Sequence, residues 1–317
     1  MNNLSCKLLQ NYLGSAHDVK DLRSTFIANS VFNNCSTYTS IMLNVVIIFA
    51  LRKASSIPKT LKTLLISLAV SDVGVGLFVH PVYTLLLVSF LRGYNISCLP
   101  YTMFLVFARL FVLASFVGVV AVSVDRFLAV HLHLRYQELV THKRVVVLVI
   151  SVWVSSAFVS ALALLNLHDM QTSITNIVGG TGLVLSIMIY SSIFLTARRH
   201  KKEIRSSRIH HRTQCKEMAN FASLMKLTVG VFYMFLLLLI CYVPYFISLA
   251  IIKTNGPSIL LKGVLQYSMT LVFLNSSLNP VIYCLKIRHI RRAIMDILRS
   301  TARNWNLLSR GSLKCKP

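Results

Sequence analysis

The chain has 317 residues, of which 55% are hydrophobic and only 13% charged. Soluble globular chains carry about 25% charged residues, so an ordinary soluble domain is excluded and a membrane protein is indicated. The 33 Lys and Arg against 9 Asp and Glu give a net charge of +24. They sit in short blocks between long apolar runs, which suits loops beside an anionic leaflet and not a nucleic-acid surface.

The N-terminal tail, 1–29, lacks a basic segment followed by an apolar one, so no cleaved leader is expected. A spanning helix needs about 20 mostly apolar residues. Seven segments qualify, at 30–52, 60–86, 98–130, 144–166, 174–197, 222–252 and 260–285. The first is weakened by the polar stretch Asn33 to Ser40, and the fifth by Ser173, Thr175, Asn176 and Gly179-Gly180. Over 286–299, Ile287, Ile290, Ala293, Ile294, Ile297 and Leu298 recur at helical spacing opposite Arg288, Arg291 and Arg292. That pattern predicts an amphipathic eighth helix on the inner leaflet, followed by a cytoplasmic tail, 300–317. The fold class is therefore all-α: a seven-transmembrane bundle, 30–285, with a short eighth helix.

Orientation follows from the basic residues. With the N-terminus outside, the outer segments hold only Lys7, Lys20, Arg23, Arg92, Lys253 and Lys262 of the 33, and Arg109 lies deep in span three. The sequons at Asn3, Asn34 and Asn95 then fall outside as glycosylation candidates, with Asn34 close to the bilayer. Cys98 has Cys6 or Cys35 as candidate partners, or stays free. Cys315 and Cys284 are candidate acylation sites.

A charge in hydrocarbon costs at least about 2.5–3.5 kcal/mol on insertion scales, so each deep polar residue asks for a reason. The deep set is Asp72, His80, Arg109 and the pair Asp125-Arg126, accompanied by Asn44, Ser115, Asn275, Ser276 and Asn279. Arg126 at the end of span three is tolerable only if paired or hydrated, and Asp125 is its immediate neighbour. Pro244 and Pro280 each remove a backbone hydrogen bond inside a span and are expected to bend spans six and seven.

Taken together, Asn44 in span one, Ser67 to Asp72 in span two, Asp125-Arg126-Phe127 in span three, Trp153 in span four, Tyr190 in span five, Cys241-Tyr242-Val243-Pro244 in span six and Asn279-Pro280-Val281-Ile282-Tyr283 in span seven form an ordered series, one per span. The sequence resembles the rhodopsin-like (class A) G-protein-coupled receptors from about 30 to 298. The resemblance implies a plasma-membrane, multi-pass glycoprotein that binds an extracellular ligand and activates a heterotrimeric G protein. It implies that Asp125 holds Arg126 at rest, and that Tyr190 and Tyr283 reach toward Arg126 on activation as span six swings out. It also implies a sodium ion at Asp72 and Ser115, with Asn44, Asn275, Ser276 and Asn279 around it. The residues alone allow a second reading, a protonated Asp72 in a hydrogen-bonded cluster without an ion.

Several positions depart from the family's pattern. Tyr242 stands in place of Trp and Leu238 in place of Phe, which puts the span-six rotamer switch in doubt. Phe111 replaces a polar residue one turn before Ser115. The usual disulfide cannot form, because Tyr101 holds the Cys position and the short second outer loop, 167–173, has no Cys. Span five has Gly182 instead of Pro. No acid stands near Leu224 to pair with Arg126, with Glu217 nearly two turns away, and a missing clamp predicts raised basal activity. The short loop, absent bridge and absent Pro are similar to the melanocortin, adenosine and cannabinoid group.

The ligand stays open. Ala108 lies five turns before Arg126 on one face, where amine receptors keep an Asp, so a monoamine is not expected. Tyr101, Leu105, Val82 and Leu249 replace the residues that melanocortin and adenosine receptors use. Arg109 points about 100° from Ala108, toward span four or five. It either pairs with a carboxylate or phosphate of a ligand, or snorkels or bonds helix carbonyls; the second reading is favoured. His80, Tyr83 and Phe273 are expected cavity walls. The competing class is a transporter or channel with Asp72 and Arg109 on the pathway, but inverted repeats and matched broken helices are not evident. An intramembrane enzyme would need a paired nucleophile and base or a metal-spaced His set, and neither is recognisable.

Overall fold

In a computed structural model, residues 9, 12–14, 18–54, 57–94, 98–132, 135–206, 213–286, 290–296 and 299 are described, with 98, 197, 199–206 and 213–223 described by backbone only. Seven helices are long and apolar enough to cross a membrane. They are α1 (Val19–Lys53), α2 (Lys59–Leu91), α3 (Cys98–Leu132), α4 (His142–Ala161), α5 (His168–Ser206), α6 (Thr213–Asn255) and α7 (Ile259–Lys286). A one-turn helix, Tyr136–Leu139, links α3 to α4. Beyond α7, residues 290–296 are helical, with Ile290 and Ala293 buried and Arg291 and Arg292 exposed, so the described part of the eighth helix is amphipathic.

Helix α3 is the central element, packing against α2, α4, α5, α6 and α7, while α1 packs on α2 and α7. Three features that bear on the packing differ from the sequence expectation. α1 begins at Val19 and not at 30, because polar residues of its first half find partners inside the bundle. Asn29, Asn33, Ser36, Ser40 and Asn44 recur every three or four residues, all buried. Asn33 donates to Thr270 of α7 (2.9 Å), Ser40 to the Asp72 carbonyl of α2 (2.9 Å), and Asn44 to the Ser276 carbonyl of α7 (2.9 Å). What reads as a weak span is a helix whose polar stripe is its interface. Second, α5 starts at His168, so the link from α4 shrinks to residues 162–167, with Asn166 in the left-handed region at φ 58°. Third, Cys35 is an exposed free thiol, facing away from the buried Asn33 and Ser36, so it does not bridge to Cys98. Cys6 and the Cys98 side chain lie outside the described residues. So do Asn3 and Asn95, while Asn34 is exposed within α1.

Helix α2 carries one π-turn, Val75–Val79, closed by the His80 N–H donating to the Val75 carbonyl. It falls just before Pro81, which lacks an N–H and loosens the local ladder. Pro244 likewise cannot donate to the carbonyl one turn earlier in α6, and Ser248 Oγ donates to the Pro244 carbonyl (2.7 Å).

Gly182 explains why α5 dispenses with Pro. A Cβ there would stand 2.8 Å from the Phe116 ring of α3, and one at Gly179 would stand 2.5 Å from the Phe246 ring of α6. The two glycines, one turn apart, let α5 close on both helices. Gly180 faces open space. Overpacking costs about 1–3 kcal/mol, and 1 kcal/mol shifts the melting point of a chain this size by about 1.5 °C. Gly182→Leu is expected to lower the thermal midpoint of the purified protein by several degrees, and Gly180→Ala to leave it unchanged or raise it. Equal midpoints for Gly182→Leu and wild type would show that the close approach is not required.

Candidate functional site

Three polar or hollow regions lie along α3. At the end nearest Leu132, Arg126 is only 1% exposed and pairs with Asp125, its Nε donating to Oδ2 at 2.9 Å. The other carboxylate oxygen accepts from the Tyr136 hydroxyl at 2.7 Å, and Thr60 of α2 stands 3.2 Å from that hydroxyl. Burial is the main cause that pushes the Tyr136 hydroxyl up to about 12, with Asp125 acting in the same direction, so it stays a donor at neutral pH. The sequence reading missed Tyr136 and Thr60, since no spacing rule links a loop tyrosine to a helix-end pair. Tyr190 does not bond Arg126 in this arrangement; its hydroxyl stands 2.9 Å from Ser123 Oγ. The Tyr283 hydroxyl is buried and makes no hydrogen bond among the described residues. No described acid of α6 pairs with Arg126, and the Glu217 side chain lies outside the described set. Phe127 stacks on His131 at 4.1 Å.

In the middle, Asp72 is fully buried and both its oxygens are held. Ser115 Oγ donates to Oδ1 and Asn279 Nδ2 to Oδ2, each at 2.9 Å. Three buried carboxamide oxygens, of Asn44, Asn275 and Asn279, accept nothing from the described residues. Such an oxygen-rich set fits a hard monovalent cation. Phe111 is not part of it. Its ring stacks on Phe78 (5.5 Å) and meets Trp153 edge-on (6.2 Å), filling the space against Gly74.

At the end that carries the N-terminus, a cavity of about 450 Å³ opens among α3, α5, α6 and α7. Ala108, Arg109, Phe116, Tyr242 and Phe273 line it. Tyr242 is buried and packs against Phe116 with ring centroids 5.3 Å apart. The chain's own Tyr12 and Leu13 line it too. Gly14 takes φ 130°, the Leu13 carbonyl accepts from Gln266 Nε2 at 2.7 Å, and Lys262 pairs with Asp18 at 2.7 Å. The Tyr12 hydroxyl is held above its usual range by burial, reinforced by Tyr245 and Asp169, with Arg109 opposing.

Two expected cavity walls stand one layer back. His80 is buried beside α1 with Nδ1 2.9 Å from Asn33 Oδ1, which assigns that nitrogen the proton. Tyr83 is sealed between Phe104 (5.3 Å) and Phe273 (5.5 Å). The π-turn preceding them adds a residue to that turn, an offset that regular helical spacing does not include. Arg109 turns toward the start of α5, as expected, but into the cavity and not out to lipid.

This arrangement, seven helices with a buried acid–guanidinium pair at one end and a hollow at the other, defines a seven-helix membrane receptor. Residues 43–178 and 167–283 match the model of the 7 transmembrane receptor (rhodopsin family), and the chain belongs to that family. It is 23% identical to melanocortin receptor 5 of Rattus norvegicus over 192 residues, 59% of this chain and 57% of that receptor. It is 25% identical to adenosine receptor A2b of Gallus gallus over 300 residues, 82% of this chain and 84% of that receptor. It is 23% identical to adenosine receptor A2a of Canis lupus familiaris over 296 residues, 82% and 69% of the two chains. The match thus spans little more than half of the melanocortin receptor's length and most of the adenosine receptors'.

A hydrogen bond to a charged group contributes about 1.5–3 kcal/mol, and half-buried Tyr136 belongs at the low end. Tyr136→Phe is expected to lower the thermal midpoint by about 2 °C. An unchanged midpoint would show that the hydroxyl does not hold Asp125.

Proposed function

We propose that this chain is a plasma-membrane receptor, N-terminus outside, that takes an extracellular ligand in the α3–α5–α6–α7 cavity and activates a heterotrimeric G protein at the Arg126 end. The observation that carries the reading is the state of Arg126. It is a guanidinium buried beside Asp125 at the end of the helix whose other end lines the cavity. Arg109 and Arg126 are separated by about 25 Å at 1.5 Å per residue. Burial of this kind is costly unless paired, so any movement that separates Arg126 from Asp125 exposes a cation for a partner to hold. The Tyr242–Phe116 contact joins α6 to α3 at the cavity, and Tyr190, held by Ser123, packs against Phe232 and Phe235 of α6 with ring centroids 5.1 and 4.9 Å apart. Basic residues concentrated at the Arg126 end support this orientation. Lys286 lies over the Tyr233 ring at 4.0 Å, as a cation does at a membrane boundary.

A sodium ion held by Asp72 and Ser115, with the Asn275 and Asn279 oxygens beside them, would add a positive charge among α2, α3 and α7 and favour the resting arrangement. Ligand entry that moves α6 would weaken it through Tyr242. The absence of a described α6 acid beside Arg126 supports raised basal output. The receptor family and the lack of a nucleophile–base pair favour a binding protein over an enzyme. A transporter or channel reading is less well supported, since the matched family is a receptor family and Asp72 and Arg109 lie in separate polar regions.

Basal cyclic AMP and calcium, measured in cells expressing wild type or Arg126→Ala at matched surface level, test the coupling site. Wild type is expected above empty cells and Arg126→Ala at background. Equal output from the two would remove Arg126 from the coupling mechanism.

A further inference from the structure

The cavity contains one charge that the bundle itself does not neutralise. Arg109 projects from α3 into the hollow, and among the described residues no carboxylate stands within ion-pair distance of it. Its neighbours are hydroxyls and an imidazole. Its charge acts on Tyr12, Tyr101 and His168, none of which offers a full negative charge at neutral pH. Asp169 and Lys253 also line the cavity, but both are exposed at its rim. Arg109 and Lys253 against Asp169 leave the described lining positive by one charge. The rest of the wall is apolar and aromatic, with Phe104, Phe116, Phe246, Met269 and Phe273 among it. At about 450 Å³ the space suits a drug-sized molecule.

A half-buried guanidinium without an ion-pair partner is held against part of its desolvation cost. It carries five N–H donors in a planar fork, which match a carboxylate or phosphate. We infer that the cavity takes an organic oxyanion, a carboxylate or phosphate monoester on an apolar body, with Arg109 holding the head group and the aromatic wall the body. Tyr12 and Tyr101 supply further donors beside Arg109, so the chain's own N-terminal segment completes the head-group end. A basic peptide or a monoamine would place a cation against Arg109 and is excluded by the same charge. The inference rests on the reading of this cavity as the ligand site, but its test needs no G protein.

The test uses the full chain in nanodiscs, with thermal midpoint as the readout. The probes share one apolar body: decanoate, decyl phosphate, decanol and decylamine. At least one of the two anions is expected to raise the wild-type midpoint by about 2 °C or more beyond decanol, and decylamine to raise it least. Decanoate alone, or decyl phosphate alone, assigns the head group. Arg109→Gln is expected to abolish the advantage of the anion over the alcohol. Because partition of each probe into the bilayer is the same for both proteins, the comparison isolates Arg109. Without any probe, Arg109→Met is expected to raise the midpoint by a few degrees, since it removes an unpaired charge. Three results overturn the inference: decanol matching both anions on wild type, Arg109→Gln keeping the anion's advantage, or Arg109→Met lowering the empty protein's midpoint, which would make Arg109 a brace. An anion preference without messenger output would leave this site standing and remove the coupling proposal. Messenger output without the preference would do the reverse.

Discussion

Hydrocarbon offers no hydrogen bonds, so every polar side chain within the spans must find its partner on a neighbouring helix. That constraint organises α1, α2, α3 and α7. The stripe Asn29, Asn33, Ser36, Ser40 and Asn44 turns α1 so that it faces α2 and α7. Its bonds to Thr270, His80 and the Asp72 and Ser276 carbonyls leave α1 one rotational setting. Asp72 then draws Ser115 of α3 and Asn279 of α7 to the same point. The helices meet at Asp72 because each has a polar group that is costly to leave unpaired.

The other half of the bundle is organised by shape. α5 carries polar links at Tyr190–Ser123 and Ser192–His131, but along its cavity half it approaches α3 and α6 through Gly179 and Gly182, which accept the rings of Phe246 and Phe116. Those rings also line the cavity, so the packing of α5 and the size of the hollow are set by the same two contacts. The division has a physical sense. The polar half resists displacement because moving it strands buried donors, whereas the aromatic half can slide with smaller loss. The α1–α2–α7 frame is the part fixed by buried hydrogen bonds.

Arg126 sits where the two halves meet the bundle's end. Asp125 holds it on one side, and Tyr136 with Thr60 ties Asp125 to α2, in the fixed frame. On the α6 side no described acid restrains it. The pair is thus anchored to α2 through Tyr136 and Thr60. Tyr242 against Phe116 gives α6 an aromatic contact beneath the cavity although the family's usual Trp is absent.

Much of this protein is determined by the sequence alone. Seven apolar segments, the basic residues between them and one ordered motif per span are enough for the fold class, because span length and backbone satisfaction in lipid leave few alternatives. Asp72 with Ser115 and Asn279, and Asp125 with Arg126, were legible because charged residues in hydrocarbon are rare. The tertiary structure alone decided the rest. The polar stretch that weakens span one as a hydropathy signal is its interface, a matter of which face meets which helix. His80 and Tyr83 fall behind the cavity because a π-turn resets the register before them. Tyr136 meets Asp125, and Tyr12 and Leu13 line the cavity, in placements that no periodicity encodes. Arg109 faces the hollow because α5 starts early and its first turn, with His168, walls that side of the cavity. Local patterns specify which segments are helices and which residues are costly to bury; only packing specifies which of those residues meet.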